Sequence, residues 1–199
     1  MVQKMSRALL AIALTLLAAS VASSQSPAPV QGPAPPDFKV QVWGDIAIDF
    51  SARVSSYFDL RSEVETGLPA QEITDDPGRI SRTQHALAKR IRAARAEARQ
   101  GDFFTPTISV QFKKVLLSEM SSGTWASIME DNPGEFRARI NSSFPGEKPL
   151  STVPPNILAA LPPLPEEIEY RFLGRHLILL DTKALVILDR IPYAIASGP

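Results

Sequence analysis

Cysteine is absent from all 199 residues. That excludes a disulfide framework, a thiolate metal site, a cysteine nucleophile and lipid attachment at a leader-cleavage cysteine. Histidine is nearly as scarce: His85 and His176 are the only two, and they fall in different segments. A zinc site would need both to converge with carboxylates, which nothing in the spacing suggests. The chain contains no G-x-S-x-G, no H-E-x-x-H, no P-loop and no Gly-rich dinucleotide turn. A Ser-His-Asp triad needs no motif, but one histidine per site and no nucleophile signature give it little support. No cofactor is expected. Glu166-Glu167 and Asp75-Asp76 adjoin prolines or turns, and read as solvated charge rather than as an acid and a base in distinct environments. Charge of one sign is also missing, with 21 basic against 21 acidic side chains. That balance gives no argument for nucleic acid or an anionic membrane as a general partner.

What is present begins with a leader. Lys4 and Arg7 precede an apolar core from Ala8 to Ala19, and small residues follow at Ser20, Ala22, Ser23 and Ser24. This is the pattern of a secretory signal peptide over 1–24, with cleavage expected between Ala22 and Gln25. The core is well short of the roughly 20 apolar residues of a transmembrane helix, so none is expected in the mature chain. The runner-up is an uncleaved N-terminal anchor. Residues 25–37 hold Pro27, Pro29, Pro33, Pro35 and Pro36 with Gly32, which fit an extended tether. Residues 38–199 then form a single domain of ordinary size. A periplasmic or secreted location follows.

The strongest pattern lies at the C-terminal end. Ile168, Tyr170 and Phe172 alternate with Glu167, Glu169 and Arg171, which puts apolar and charged sets on opposite faces of a strand. Gly174-Arg175 suits a two-residue II′ turn, because glycine accepts positive φ. That turn sets Phe172 opposite Leu177, Tyr170 opposite Leu179 and Ile168 opposite Asp181. Leu177 to Leu180 is apolar on both faces and reads as a central, buried strand. Thr182-Lys183 is expected as a second two-residue turn into a third strand, Ala184 to Leu188. Such a turn places His176 opposite Asp189. The pair reads either as a site that binds a ligand or moves a proton, or as a satisfied polar pair at a strand end.

Helical patterns come earlier. Ile46, Phe50, Val54, Tyr57, Val64 and Leu68 make one stripe, and a helix over Ile46 to Thr66 ends at Gly67 and Pro69. Phe38, Val40 and Val42 before it alternate, as a short strand or a packed arm. An acidic loop from Ala70 to Arg79 contains the turn signal Asp76-Pro77-Gly78. A second helix is expected from the N-cap Ser81 to Gln100, with Gly101 as its stop and Leu87, Ile91, Ala94 and Ala98 as its buried stripe. Its other faces carry Arg82, Lys89, Arg90, Arg92, Arg95 and Arg99. Around Arg92 and Arg95 this basic surface reads as a site for an anionic envelope component, or as a solvated face paired with Glu63, Glu65 and Glu72. Thr105-Pro106 caps a third helix carrying Ile108, Phe112, Val115, Leu116 and Met120. A further helical turn is expected at Trp125 to Met129. Phe136, Ala138 and Ile140 alternate with Arg137, Arg139 and Asn141 as a candidate fourth strand. Asn141-Ser142-Ser143 fits the N-glycosylation pattern. Asn156 to Leu161 reads as one helical turn, and Pro162-Pro163-Leu164-Pro165 as a stiff spacer that also fits a PxxP ligand.

With helices first and strands late, the fold class is α+β: three or so amphipathic helices packed on a small antiparallel sheet formed mainly by the C-terminal hairpins. The segment from Pro162-Pro163-Leu164-Pro165-Glu166-Glu167 through Tyr170-Arg171-Phe172-Leu173-Gly174-Arg175 and Leu179-Leu180-Asp181 to Asp189 resembles the end of small exported bacterial proteins of no known function. Gly101-Asp102 with Phe104-Thr105-Pro106 is similar to a second stretch shared with them. The resemblance implies a bacterial, exported setting and no activity. The functional expectation is a non-enzymatic envelope protein that binds a ligand or a protein partner. The alternative is a small periplasmic enzyme with a site near His176 and Asp189.

Overall fold

The computed structural model describes residues 38–68, 76–136 and 138–196. The expected leader and tether, residues 69–75 of the acidic loop, and Arg137 of the candidate fourth strand lie outside them. Pro36–Pro199 cluster as one unit. Among the described residues, five helices precede three strands: α1 Phe38–Glu65, α2 Pro77–Ala94, α3 Pro106–Glu119, α4 Ser122–Glu130, α5 Pro155–Ala160, β1 Ile168–Leu173, β2 His176–Asp181 and β3 Val186–Ile191. The strands form an antiparallel sheet in the order β1-β2-β3, which makes the fold α+β.

The first hairpin has the expected register, with Phe172 facing Leu177, Tyr170 facing Leu179 and Ile168 facing Asp181. Gly174 opens its turn at φ +55. A side chain there would be strained by that φ and would also run into the side chain and backbone of Glu135.

The second hairpin differs. Its loop takes four residues, Thr182 to Leu185, and Asp181 faces Val186. Asp181 Oδ1 accepts the Ala184 N–H at 2.7 Å, so the aspartate side chain builds the longer turn that Thr182-Lys183 lacks the glycine to close. Leu180 then faces Ile187 while Leu179 faces Asp189, so Leu188 is an extra, bulged residue. The bulge brings Leu188 and Ile191 into one core, although their odd spacing would put them on opposite faces of an unbroken strand.

Both faces of the sheet are covered, as the apolar β2 implied. Ile168, Tyr170, Phe172, Leu177, Leu179 and Leu188 join the helices in the main core. Leu173, Ile178, Leu180 and Ile187 pack instead with Ala138 and Phe144. The segment read as a fourth strand is therefore a cover. Among the described residues, Ser143 alone forms a ladder bridge, to Val186. The Asn141 N–H donates to Ile187 O at 2.8 Å, and the Phe144 N–H to Leu185 O at 2.7 Å. Asn141 stands at φ +59, which breaks the extended run read as a strand. On the open edge of the sheet, Ser151 Oγ donates to Phe172 O and accepts the Phe172 N–H, both at 2.7 Å.

The helix ends also shift. α1 includes Phe38 to Val42, which the alternation had suggested as strand or arm. Trp43, Ile46 and Phe50 continue a helical stripe backwards, and Trp43 packs on Phe112 with ring centroids 5.7 Å apart. Asp76-Pro77-Gly78 is a helix start rather than a turn. Asp76 Oδ1 accepts the Gly78 N–H at 2.9 Å, with proline in the first helical turn. α2 stops at Ala94, short of Gln100. Asn141 Nδ2 donates to the carbonyls of Arg92 (3.0 Å) and Arg95 (2.8 Å), occupying acceptors that a longer helix would have used. α3 begins as expected, with Thr105 Oγ1 accepting the Ile108 N–H. Ser121 caps α4, its Oγ accepting the Thr124 N–H at 3.1 Å.

Candidate functional site

A cleft of about 490 Å³ lies between the Pro162-Pro163-Leu164 segment, α5 and β1. That volume falls in the range of small-molecule sites, roughly 300–1,000 Å³. Its walls are Val153, Leu158, Pro162, Leu164, Ile168 and Tyr170. The prolines fix one wall, and Tyr170 fastens it by donating its hydroxyl to Pro162 O at 3.0 Å. Burial raises the Tyr170 phenol above its ordinary value, so the hydroxyl stays a donor. Leu158 is 48% exposed, an apolar side chain at an open wall.

Glu169 and Arg171 stand at the polar rim. They face away from the main core by the same alternation that turns Ile168 and Tyr170 towards it. The two are ion-paired, and Arg171 Nη1 donates to Ser151 O at 3.0 Å. Arg171 Nε is buried and has no hydrogen-bond partner. A buried guanidinium N–H without an acceptor is costly and is relieved by any acceptor that reaches it. The sequence reading treated Pro162 to Pro165 as a spacer that also fits a PxxP ligand, not as the wall of a cleft. The available signal was that Leu158 and Leu164 belong to no amphipathic stripe.

The expected pairing of His176 with Asp189 does not form. The longer second loop and the bulge carry Asp189 opposite Leu179, and His176 falls outside the β2–β3 pairs. Asp189 is sealed, at 0% exposure. It accepts four main-chain N–H groups: Gly101 at 3.1 Å, Phe103 at 2.9 Å, Phe104 at 2.8 Å and Arg190 at 2.8 Å. Burial pulls its carboxyl above the usual carboxylate range, and those four donors work against the shift. His176 instead accepts the Tyr193 N–H on Nδ1 at 2.9 Å. Neither residue lines the apolar cleft.

Arg92 and Arg95 are not one surface. Arg92 is exposed on the last turn of α2. Arg95 turns inward: its guanidinium lies 5.4 Å from the Tyr57 ring and 5.1 Å from the Phe103 ring, and Nη2 donates to Leu188 O at 3.2 Å. Burial lowers its pKa against the pull of Asp102 and Asp189. Shallow clefts of about 310 and 250 Å³ flank it, with Asp102 in both. The rest of the basic face is dispersed. Arg90 Nη1 donates to Val64 O and Thr66 O, capping α1. Arg82 lies 3.8 Å from Asp76, and Arg99 lies 3.7 Å from Glu97. Of the acids expected to pair with it, Glu65 binds Arg61 and Lys183 instead, and Glu72 lies outside the described residues.

Arg61 is the buried charge that the sequence reading missed. It is 2% exposed and donates from Nε to Asp181 Oδ2 at 2.8 Å. Tyr57 donates to the same oxygen at 2.7 Å. Arg61 Nη1 donates to Glu65 at 3.0 Å, and Nη2 lies 2.6 Å from Glu167 without hydrogen-bond geometry. Lys183 bridges Glu65 and Glu167 from outside, closing the network. Burial works against the Arg61 charge, but Asp181, Glu167 and Glu65 raise its pKa overall. Burial, then Asp181, hold the Tyr57 phenol far above its ordinary value. Each charge here has an opposite charge beside it, so the network is a clamp between α1 and the sheet.

Among the described residues, no group of His, Asp and Glu is placed to hold a metal ion, and no helix is long and apolar enough to cross a membrane. No protein-family model, curated protein or solved structure matches the chain.

Proposed function

We propose that this chain is an exported envelope protein, of the kind its C-terminal segment resembles, that binds an apolar ligand with an acidic head and catalyses no reaction. One observation carries the reading: an apolar cleft lined in part by Arg171, whose Nε has no hydrogen-bond partner. The walls suit a hydrocarbon body, and the guanidinium suits a carboxylate. This narrows the anionic envelope component expected from the basic helix to an acyl chain with an acid head, and moves it from α2 to β1. Export rests on the leader pattern of 1–24. The enzyme alternative loses its premise, because His176 and Asp189 are held apart by separate main-chain donors.

Displacement of a fluorescent long-chain fatty acid tests the reading. Saturable binding is expected, weakened at least about tenfold by Leu158→Asp, which puts a charge on an already exposed wall without opening the core. Absence of saturable binding, or equal affinity in Leu158→Asp, removes the cleft as the site. Intact mass of protein from an envelope fraction reads the export claim, with a start between Ala22 and Gln25 expected.

A further inference from the structure

Residues 192–196 fold back along the end of the sheet after β3. Ala194 and Ile195 bury their side chains in the main core, and both of their N–H groups donate to Arg175 O, at 2.8 and 3.3 Å. Tyr193, between them and the strand, is 56% exposed and stands at φ +48. That is an uncommon conformation for a bulky residue, held only where the surroundings enforce it. Three contacts enforce it. The Tyr193 N–H donates to His176 Nδ1 at 2.9 Å, its ring stands edge-on to the imidazole at 4.9 Å, and the Arg175 guanidinium lies over the ring at 4.8 Å.

The hydrogen bond fixes the imidazole's state. Nδ1 accepts, so it carries no proton and the ring is the neutral Nε2–H tautomer. A second proton would convert Nδ1 from acceptor to donor and set two N–H groups against each other. We propose that His176 is a proton-operated latch: neutral, it holds residues 192–196 against the sheet, and protonated in mild acid, it lets them go.

The surroundings set the pH range. Burial lowers the His176 pKa from 6.5, and the positive charges of Arg190 on β3, Arg175 in the β1–β2 turn and Lys113 on α3 lower it further. Glu135, from the segment after α4, acts the other way. With the folded value below the unfolded one, the latch is fully held above about pH 6.5 and is lost as pH falls through the folded value. The strain at Tyr193 favours release once the bond is gone. His85, the other histidine, sits exposed on α2 and touches none of these residues.

Amide exchange of Tyr193, Ala194 and Ile195 by NMR, corrected for intrinsic rates, tests the latch at about pH 7.5 and about pH 5.5. Protection is expected to fall roughly tenfold in acid, the scale of one hydrogen bond, in the native chain and in His85→Asn. In His176→Asn it should not fall, because the Asn oxygen stands where Nδ1 stood and does not titrate. Equal protection at both pH values, or the same loss in His176→Asn, overturns the proposal. The native chain alone gives a second reading. The midpoint of the protection loss must coincide with the titration of the His176 ring, and a midpoint elsewhere overturns the latch as well.

Discussion

Asp181 and Asp189 are both sealed from water, one at the end of β2 and the other inside β3. They are met by different means. Asp181 gives one oxygen to side chains, Arg61 and Tyr57, from a helix far away in the chain, and the other to the Ala184 N–H. Asp189 takes its hydrogen bonds from four main-chain N–H groups, with Arg95 acting on it only through charge. The first arrangement ties α1 to the sheet through full charges. The second uses partial charges to shape the loop from Gly101 to Phe104. A buried acid can therefore act as a template for a loop, as Asp189 does, or as a template and an anchor between elements at once, as Asp181 does, and its partners decide which.

Breaking the side-chain pair should cost most. Arg61→Ala leaves Asp181 buried without its cation, and a loss of about 3–5 kcal/mol is expected in urea unfolding. A loss under about 1 kcal/mol would mean that water or Lys183 replaces the guanidinium and that the contrast is overdrawn. Asp189→Asn should cost less, about 1–3 kcal/mol, because the amide keeps one acceptor oxygen while its NH₂ meets donors. Its mark should be local, with faster amide exchange at Phe103 and Phe104 and unchanged protection in α1. Gly101→Ala sharpens the comparison further, since it alters the loop without touching the carboxylate. Gly101 stands at φ +100, and a Cβ there has no neighbour nearer than 3.9 Å. The expected loss of about 1–2 kcal/mol is backbone strain alone. A loss equal to that of Asp189→Asn would show that the carboxylate acts only by holding Gly101 in place.

The same contrast explains what could be read in the chain. The register of the first hairpin, the Thr105 cap and the two-sided burial of β2 are local properties, written in Gly174, Thr105-Pro106 and the run Leu177 to Leu180. The second turn was misread because its length is set by the Asp181 side chain, which the turn residues themselves do not reveal. α2 was drawn too long because Asn141, on a distant segment, supplies its C-terminal donors. That also accounts for the glycosylation pattern: the amide nitrogen a glycan would need is already bonded twice. Arg61 filled the gap between Tyr57 and Val64 in the α1 stripe and went unnoticed, since a cation in a buried stripe makes sense only with Asp181 beside it. The cleft was invisible for a similar reason. Its walls come from α5, a proline segment and a strand, and no one of these is a motif.

Ser151 has a consequence for how copies of the protein meet. β1 is an edge strand, and Phe172 is one of the positions whose N–H and C=O an incoming strand from another molecule would need. One hydroxyl occupies both. The sheet therefore carries its own stopper, small enough to fit in a loop, on the edge where cross-molecular strand addition would otherwise take place.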